Sequence, residues 1–304
     1  MASNTGGFSH LLQPSLAEIF FNKYSQYPDE YSQIFNILSS EKAYEEDSEV
    51  AALGKMVEKT EGTAITYDDP FQAAALERYT HKIFALGFRV TYELYKNDLY
   101  GVIKRMPAAL ARSAHQTVEV ESWNILNRAF NTGYLGRDNQ SLCSTSHPNI
   151  QIGAGSGPYS NRLSTDSDLS VTSLQAAVEL LENTTDDRDL NLMLKAKTLI
   201  VAPEGKWMAR ELLNSEYKPH TADNEINALA DEELKYMVCH YFSDTDAWFL
   251  ACDKADHYLK FYWREKPSFA NDDDFDTGDG KFKGMEWFSV GFSGYRGIVG
   301  TPGA

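Results

Sequence analysis

Catalysis needs a nucleophile beside a base, a cluster of metal ligands, or a loop that cradles a phosphate. Few stretches of this chain bring such residue types together. The densest is Asn271-Asp272-Asp273-Asp274-Phe275-Asp276-Thr277-Gly278-Asp279-Gly280, whose carboxylates suit a hard cation. A calcium loop counted from Asp272 needs glycine in its sixth place and glutamate in its twelfth. Thr277 and Lys283 stand there, so the stretch reads as a solvated acidic turn between strands. Gly205-Lys206 runs into Trp207 without the glycines of a phosphate loop, and Gly153, Gly155 and Gly157 lack a following helix to aim at a pyrophosphate. Cys143 with a distant histidine offers a nucleophile and a base, although its Ser/Thr-rich surroundings read as an ordinary loop. The other cysteines, Cys239 and Cys252, are far away and make an odd total of three, so neither a disulfide framework nor a CxxC knuckle is formed. No two of the seven histidines stand at the i, i+4 spacing of a helical zinc pair. The sequence thus assigns no catalytic residue, no cofactor and no metal. The competing reading is a soluble enzyme with Cys143 or a histidine as catalyst.

The elements that would carry any site are clearer. Leu16, Ile19, Phe20 and Tyr24 predict a short helix after Pro14-Ser15, inside a polar segment that drapes rather than forming its own core. Residues 46–69 are charged and poor in large apolar groups, and Val50–Val57 and Thr63–Tyr67 are predicted to pair as a protruding hairpin about Glu61-Gly62. Phe84, Leu86, Phe88, Val90, Tyr92 and Leu94 alternate with smaller or polar residues, the pattern of a half-buried strand. Helical spacing from Leu99 to Met106 is expected to break at Pro107, which then opens a rod over 107–131, roughly 37 Å long. Residues 132–170 are rich in Gly, Ser, Asn and Pro and mark a boundary. Leu174, Ala177, Val178 and Leu181 predict a further helix, and Leu199–Ala202 a buried strand running into a helix opened by Pro203. Strands are predicted at 235–242, 247–252, 259–263 and 281–292.

Composition sets the class. The 304 residues make up about two domains' worth of chain. Twenty-eight basic against 44 acidic residues leave a net charge of −16, which repels nucleic acid and anionic lipid and excludes a reader with a basic stripe. Aromatic residues at 12% are too many for a disordered chain. The longest apolar runs fall far short of a membrane span, and the start has neither the basic nor the apolar part of a signal peptide. A globular protein with reduced thiols, made and kept inside the cell, is expected.

Several collinear stretches resemble the major head subunit of Mu-like tailed phages. They are Arg78-Tyr79-Thr80-His81-Lys82 through Ala85-Leu86-Gly87-Phe88-Arg89-Val90-Thr91, Leu110-Ala111-Arg112-Ser113 and Ile125-Leu126-Asn127-Arg128-Ala129-Phe130. Ser144-Thr145-Ser146-His147-Pro148, Ser160-Asn161-Arg162-Leu163 and Ala222-Asp223-Asn224-Glu225-Ile226-Asn227-Ala228-Leu229 follow. Asp246-Ala247-Trp248-Phe249-Leu250 and the ending Tyr295-Arg296-Gly297-Ile298-Val299-Gly300-Thr301-Pro302-Gly303-Ala304 complete the series. Each is short, and their order along the chain from about residue 20 carries the likeness.

The resemblance implies an α+β Hong Kong 97-like capsid fold: an N-terminal arm (1–45), an extended loop (46–80), a peripheral domain with a long spine helix (81–150 plus 252–304) and an axial domain (151–251). It implies a non-enzymatic subunit that self-assembles as hexamers and pentamers of an icosahedral head around double-stranded DNA, built in the bacterial cytoplasm. The implied partners are a portal, a scaffold carried on a separate polypeptide, in some cases a decoration protein, and DNA held without sequence-specific contact. Lys55, Glu58, Lys59, Glu61, Asp68 and Asp69 in the extended loop are the expected inter-subunit contacts. Some such families also join Lys to Asn covalently through a nearby Glu. Lys55 or Lys59 is placed for that, but non-covalent packing is the expectation here.

Overall fold

The computed structural model describes residues 8–48, 53–67, 76–98, 101–149, 157–217, 226–274 and 276–304. In chain order its elements are α1 (Phe8–Tyr24), β1 (Asn36–Ser39), β2 (Tyr44–Asp47), β3 (Glu77–Thr80), β4 (Lys82–Val90), α2 (Tyr92–Lys96) and α3 (Val102–Asn127). Then come α4 (Val171–Glu182), β5 (Thr198–Val201), α5 (Lys206–Asn214), β6 (Lys235–Val238), β7 (Trp248–Ala251), β8 (Leu259–Asp273), β9 (Gly280–Phe292) and β10 (Ile298–Thr301).

Two four-stranded sheets, ordered β1-β8-β9-β4 and β10-β7-β5-β6, share one long helix. The 26 residues of α3 make a rod of about 39 Å. It runs unbroken through Pro107, against expectation. Asp98 explains the early start, because its two carboxylate oxygens accept the Val102 and Ile103 amides at 3.0 and 3.1 Å. Pro107 then falls in the second turn, with a single intrahelical bond forfeited and its ring buried. Val118, Trp123 and Leu126 of α3 pack against Phe261 and Phe288 of the first sheet and against Ile200, Phe249 and Ile298 of the second. On the opposite face of the second sheet, Leu199, Val201, Trp248, Leu250 and Val299 meet Leu174 and Leu181 of α4 and Leu212 of α5. Burial on both faces is why β5 and β7 read as continuous apolar runs instead of alternating ones.

Two further expectations are corrected, and two strand pairings add to the reading. The alternating strand stops at Val90, where Thr91 caps α2 by accepting the Leu94 amide at 3.3 Å, so Tyr92 and Leu94 are helical. The strand expected at 259–263 continues to Asp273: register shifts at 263–268 absorb Pro267, which needs no ladder partner there. The arm does not merely drape, since β1 adds to the first sheet parallel to β8, Asn36 opposite Lys260. Finally, β10 pairs with β7, so the 252–304 segment ends in the second sheet and not in the first. The acidic stretch does turn between two strands, with Lys281 paired to Asp274 at 2.8 Å and Arg89 to Asp279 at 3.4 Å.

Candidate functional site

The loop between β2 and β3 has a fixed base. Tyr44 pairs with Thr80 and Asp47 with Glu77. The Arg78 guanidinium lies 4.3 Å from the centre of the Tyr44 ring and donates from Nε to Glu46 at 2.9 Å. Tyr79 is buried, its hydroxyl shares a hydrogen bond with Ser293, and burial pushes that hydroxyl far above the usual phenol range. Lys260 of β8 forms an ion pair with Asp47.

Nearly all of residues 53–67, beyond this base, are exposed. Residues 53–67 hold one turn, at Glu61-Gly62, closed by the Thr63 amide on the Thr60 carbonyl at 3.2 Å. The strands expected at 50–57 and 63–67 are not formed among the described residues, because a ribbon with no face to bury has nothing to hold it. Leu53, Val57 and Ile65 are exposed, Met56 is 97% exposed and Tyr67 is 90% exposed. Lys55, Glu58, Lys59 and Glu61 all lie on this stretch, exposed, and make no ion pair within their own chain among the described residues. Asp68 and Asp69 lie outside the described residues.

A receptive surface lies on the body. Register pairs Phe84 with Glu286, Leu86 with Gly284 and Phe88 with Phe282, so these side chains share one face. The spine helix crosses that face at Gly284, where a Cβ would stand 3.3 Å from Leu110 Cδ2. Phe88 and Phe282 are covered by α1 and α3, but Leu86, of the same parity, is 57% exposed. Leu86 edges an open cavity of about 250 Å³ lined by Phe84, Leu110, Pro267, Met285 and Glu286. Glu286 is buried, its Oε2 has no hydrogen-bond partner, and burial pushes the carboxyl up to about 8. Sequence reasoning missed this groove. The available signal was one acid at the inward parity of Phe282, Gly284, Glu286 and Phe288.

Cys143 and the histidine nearest it along the chain do not form a nucleophile and base. Cys143 is fully buried among Phe249 and its neighbours, and burial pushes its thiol up, away from the reactive thiolate. His147, the histidine nearest along the chain, is held at both ring nitrogens, by Asp138 Oδ2 at 2.6 Å and Asn161 Oδ1 at 2.9 Å. The Asn161 amide stands between it and the sulfur. His81 is likewise occupied by the Ser40 and Ser289 hydroxyls at 3.1 and 2.9 Å. No helix among the described residues is long and apolar enough to cross a membrane.

Known proteins supply the remaining comparison. No curated protein matches the chain. Among solved structures it is similar to the procapsid protein of bacteriophage JBD30 (TM-score 0.56, 16% identity, 98% of this chain and 76% of that one). It is also similar to the capsid protein of a native GTA particle (TM-score 0.58, 11% identity, 89% and 88%) and to a virus-like particle from Pyrococcus furiosus (TM-score 0.53, 10% identity, 95% and 98%). At such identities the likeness is one of fold, the Hong Kong 97-like α+β capsid fold, and it extends over nearly the whole chain. A family model described as "Phage capsid protein" matches residues 75–300, from the base of the loop to the last strand. A body with its thiols sealed, an exposed loop and a fold shared with shell subunits agree with that match, and the chain belongs to the phage capsid protein family.

Proposed function

We propose that this chain is the major capsid subunit of a tailed-phage head related to the Mu-like group, and that copies of it close as hexamers and pentamers into an icosahedral shell around double-stranded DNA. The observation that carries the reading is the loop. A pinned base presents Met56, Val57, Ile65 and Tyr67 to solvent, together with lysines and glutamates that have no ion-pair partner among the described residues of their own chain. A solitary protein gains nothing by exposing such a segment, whereas a tiling one buries it at each neighbour. The groove at Leu86 and Glu286 is the matching acceptor, since it is apolar, open, and has a carboxyl in need of a cation such as Lys55 or Lys59. Glu58, Glu61, Asp68 and Asp69 set the charge pattern around that contact. Each exposed ion pair contributes only ~0–1 kcal/mol, and repetition around closed rings supplies the rest.

In this reading the arm is 1–45, the extended loop 46–80, the peripheral domain 81–150 with the return from 252, and the axial domain 151–251 joined by β10. A scaffold on another polypeptide, a portal, in some cases a decoration protein, and DNA held without sequence-specific contact are its partners, with assembly in the bacterial cytoplasm. The net charge of −16 suits a wall that does not trap the duplex during filling. Deleting residues 50–66 tests the reading. The expected result is a folded subunit, by circular dichroism, that no longer sediments as rings or shells. Unchanged assembly would remove the loop from the mechanism.

A further inference from the structure

Where the arm meets the spine helix, three side chains converge that the assembly reading does not use. His115 and Glu119 are one turn apart on α3 and therefore face the same way. Asp29 comes from the turn that follows α1. His115 Nε2 lies 3.1 Å from Asp29 Oδ1 and 3.8 Å from Glu119 Oε1, and the three atoms all fall within 4.8 Å of one another. A tetrahedral centre with bonds of about 2.0–2.2 Å has ligand-to-ligand edges of roughly 3.3–3.6 Å, which the two measured separations bracket.

The surroundings are those of a held site. His115 and Glu119 are buried, and Asp29 is half exposed, leaving one side open for an ion and a water as fourth ligand. Tyr24 and Tyr27 flank the imidazole with ring centres at 5.8 and 5.4 Å and fix its plane. The Glu119 carboxylate is oriented by three donors: the Glu30 amide on Oε1 at 2.7 Å, and the Tyr31 amide and the Trp123 indole on Oε2 at 3.0 and 2.9 Å. Oε1 takes only one of these bonds, so a lone pair is left on the side of His115. Such outer donors are what keep a metal-binding carboxylate in place.

We propose that Asp29 Oδ1, His115 Nε2 and Glu119 Oε1 form a binding site for a zinc-class divalent cation that staples the N-terminal arm to the spine helix. One nitrogen and two carboxylate oxygens suit Zn²⁺ or Co²⁺, while Ca²⁺ and Mg²⁺ require an all-oxygen shell of six or more ligands. Ion entry replaces the hydrogen bond between His115 and Asp29, and the ring binds as the neutral Nδ1–H tautomer, its proton passing from Nε2 to Nδ1 through solvent. The ion also neutralises the buried Glu119 carboxylate and the Asp29 carboxylate beside it. The seven histidines contain no helical pair, and the signal in the sequence was instead the mixed His115–Glu119 spacing.

The test is a Co²⁺ titration of the full, chelator-stripped chain, with Zn²⁺ and Mg²⁺ followed by thermal unfolding. The expected results are one Co²⁺ per chain with the intense visible absorption of tetrahedral coordination, and a rise of about 5 °C in Tm with Zn²⁺ at roughly a hundredfold excess over Kd. Mg²⁺ should have no effect. Asp29→Asn and His115→Gln should abolish both signals, and Asp29→Asn, at a half-exposed position, keeps the fold if His115→Gln does not. Absence of the tetrahedral spectrum in the unaltered protein, or its survival in Asp29→Asn, would overturn the proposal. Neither outcome bears on shell assembly.

Discussion

Phe84 and Glu286 are register partners on neighbouring strands, and both line an open cavity between their sheet face and the spine helix. An acid opposite a phenylalanine on a core-facing parity is costly unless something arrives to pair with it. In the function proposed above, the neighbouring subunit supplies it.

The loop's apolar tip is expected to matter more than its charges. Changing Met56, Val57 and Ile65 together to serine should leave the Tm of the isolated subunit within about 2 °C, since exposed positions contribute little to folding. Assembly, read by light scattering against concentration, should need at least tenfold more protein. Reversing Lys55 alone should weaken it less.

Glu286 gives the subunit a pH dependence of defined sign. Its folded-state value of about 8 lies above the ordinary carboxyl value, so between about 4.5 and 8 the folded chain holds a proton that the unfolded chain has lost. Stability therefore falls as pH rises across that window. Glu286→Gln should match the unaltered subunit near pH 5 and exceed it at pH 8 in urea unfolding. A lysine docked in the groove ionises Glu286, so assembly releases a proton and should strengthen from pH 6 to 8. That pH response should vanish in Glu286→Gln.

The shared core should respond in the usual way to a cavity. Phe249 of β7 stacks on Phe130 at 5.5 Å and stands 5.6 Å from Phe242, between the second sheet and α3. Phe249→Ala should cost about 3–5 kcal/mol in denaturant unfolding. As the site joins both sheets, the two should unfold in a single transition.

The thiols are expected to be silent. Cys143, Cys239 and Cys252 are all buried, and burial pushes each thiol up, the last to about 12. A thiol reagent should label none of them in the native subunit and all three in urea. Cys143→Ala should assemble normally.

How much of this was legible beforehand depended on which forces act locally. The apolar runs of β5 and β7 and the spacing of α4 are set by burial against their own neighbours in sequence, and these elements stand where periodicity put them. Pro107 and Pro267 misled because their meaning is positional. The first is harmless so near a helix start that Asp98 caps, and the second sits in a register shift that only the partner strand reveals. Tyr92 and Leu94 kept a strand's alternation by coincidence, and the Thr91 cap overrode it. At the loop, charge and turn chemistry pointed to Lys55, Glu58, Lys59 and Glu61 as contacts with a neighbouring copy; they lie exposed on the loop, and that contact belongs to the proposed function. The groove that would receive them is assembled from α1, β4 and α3 in the first half of the chain and β8 and β9 near its end, and no local pattern encodes it.

Electron microscopy of the purified, unaltered chain at rising concentration tests tiling most directly. Five- and six-membered rings or closed shells, with density for residues 53–67 of one copy over Leu86 and Glu286 of the next, are the predicted image. Single particles at every concentration, with that segment lying in its own groove, would contradict the account.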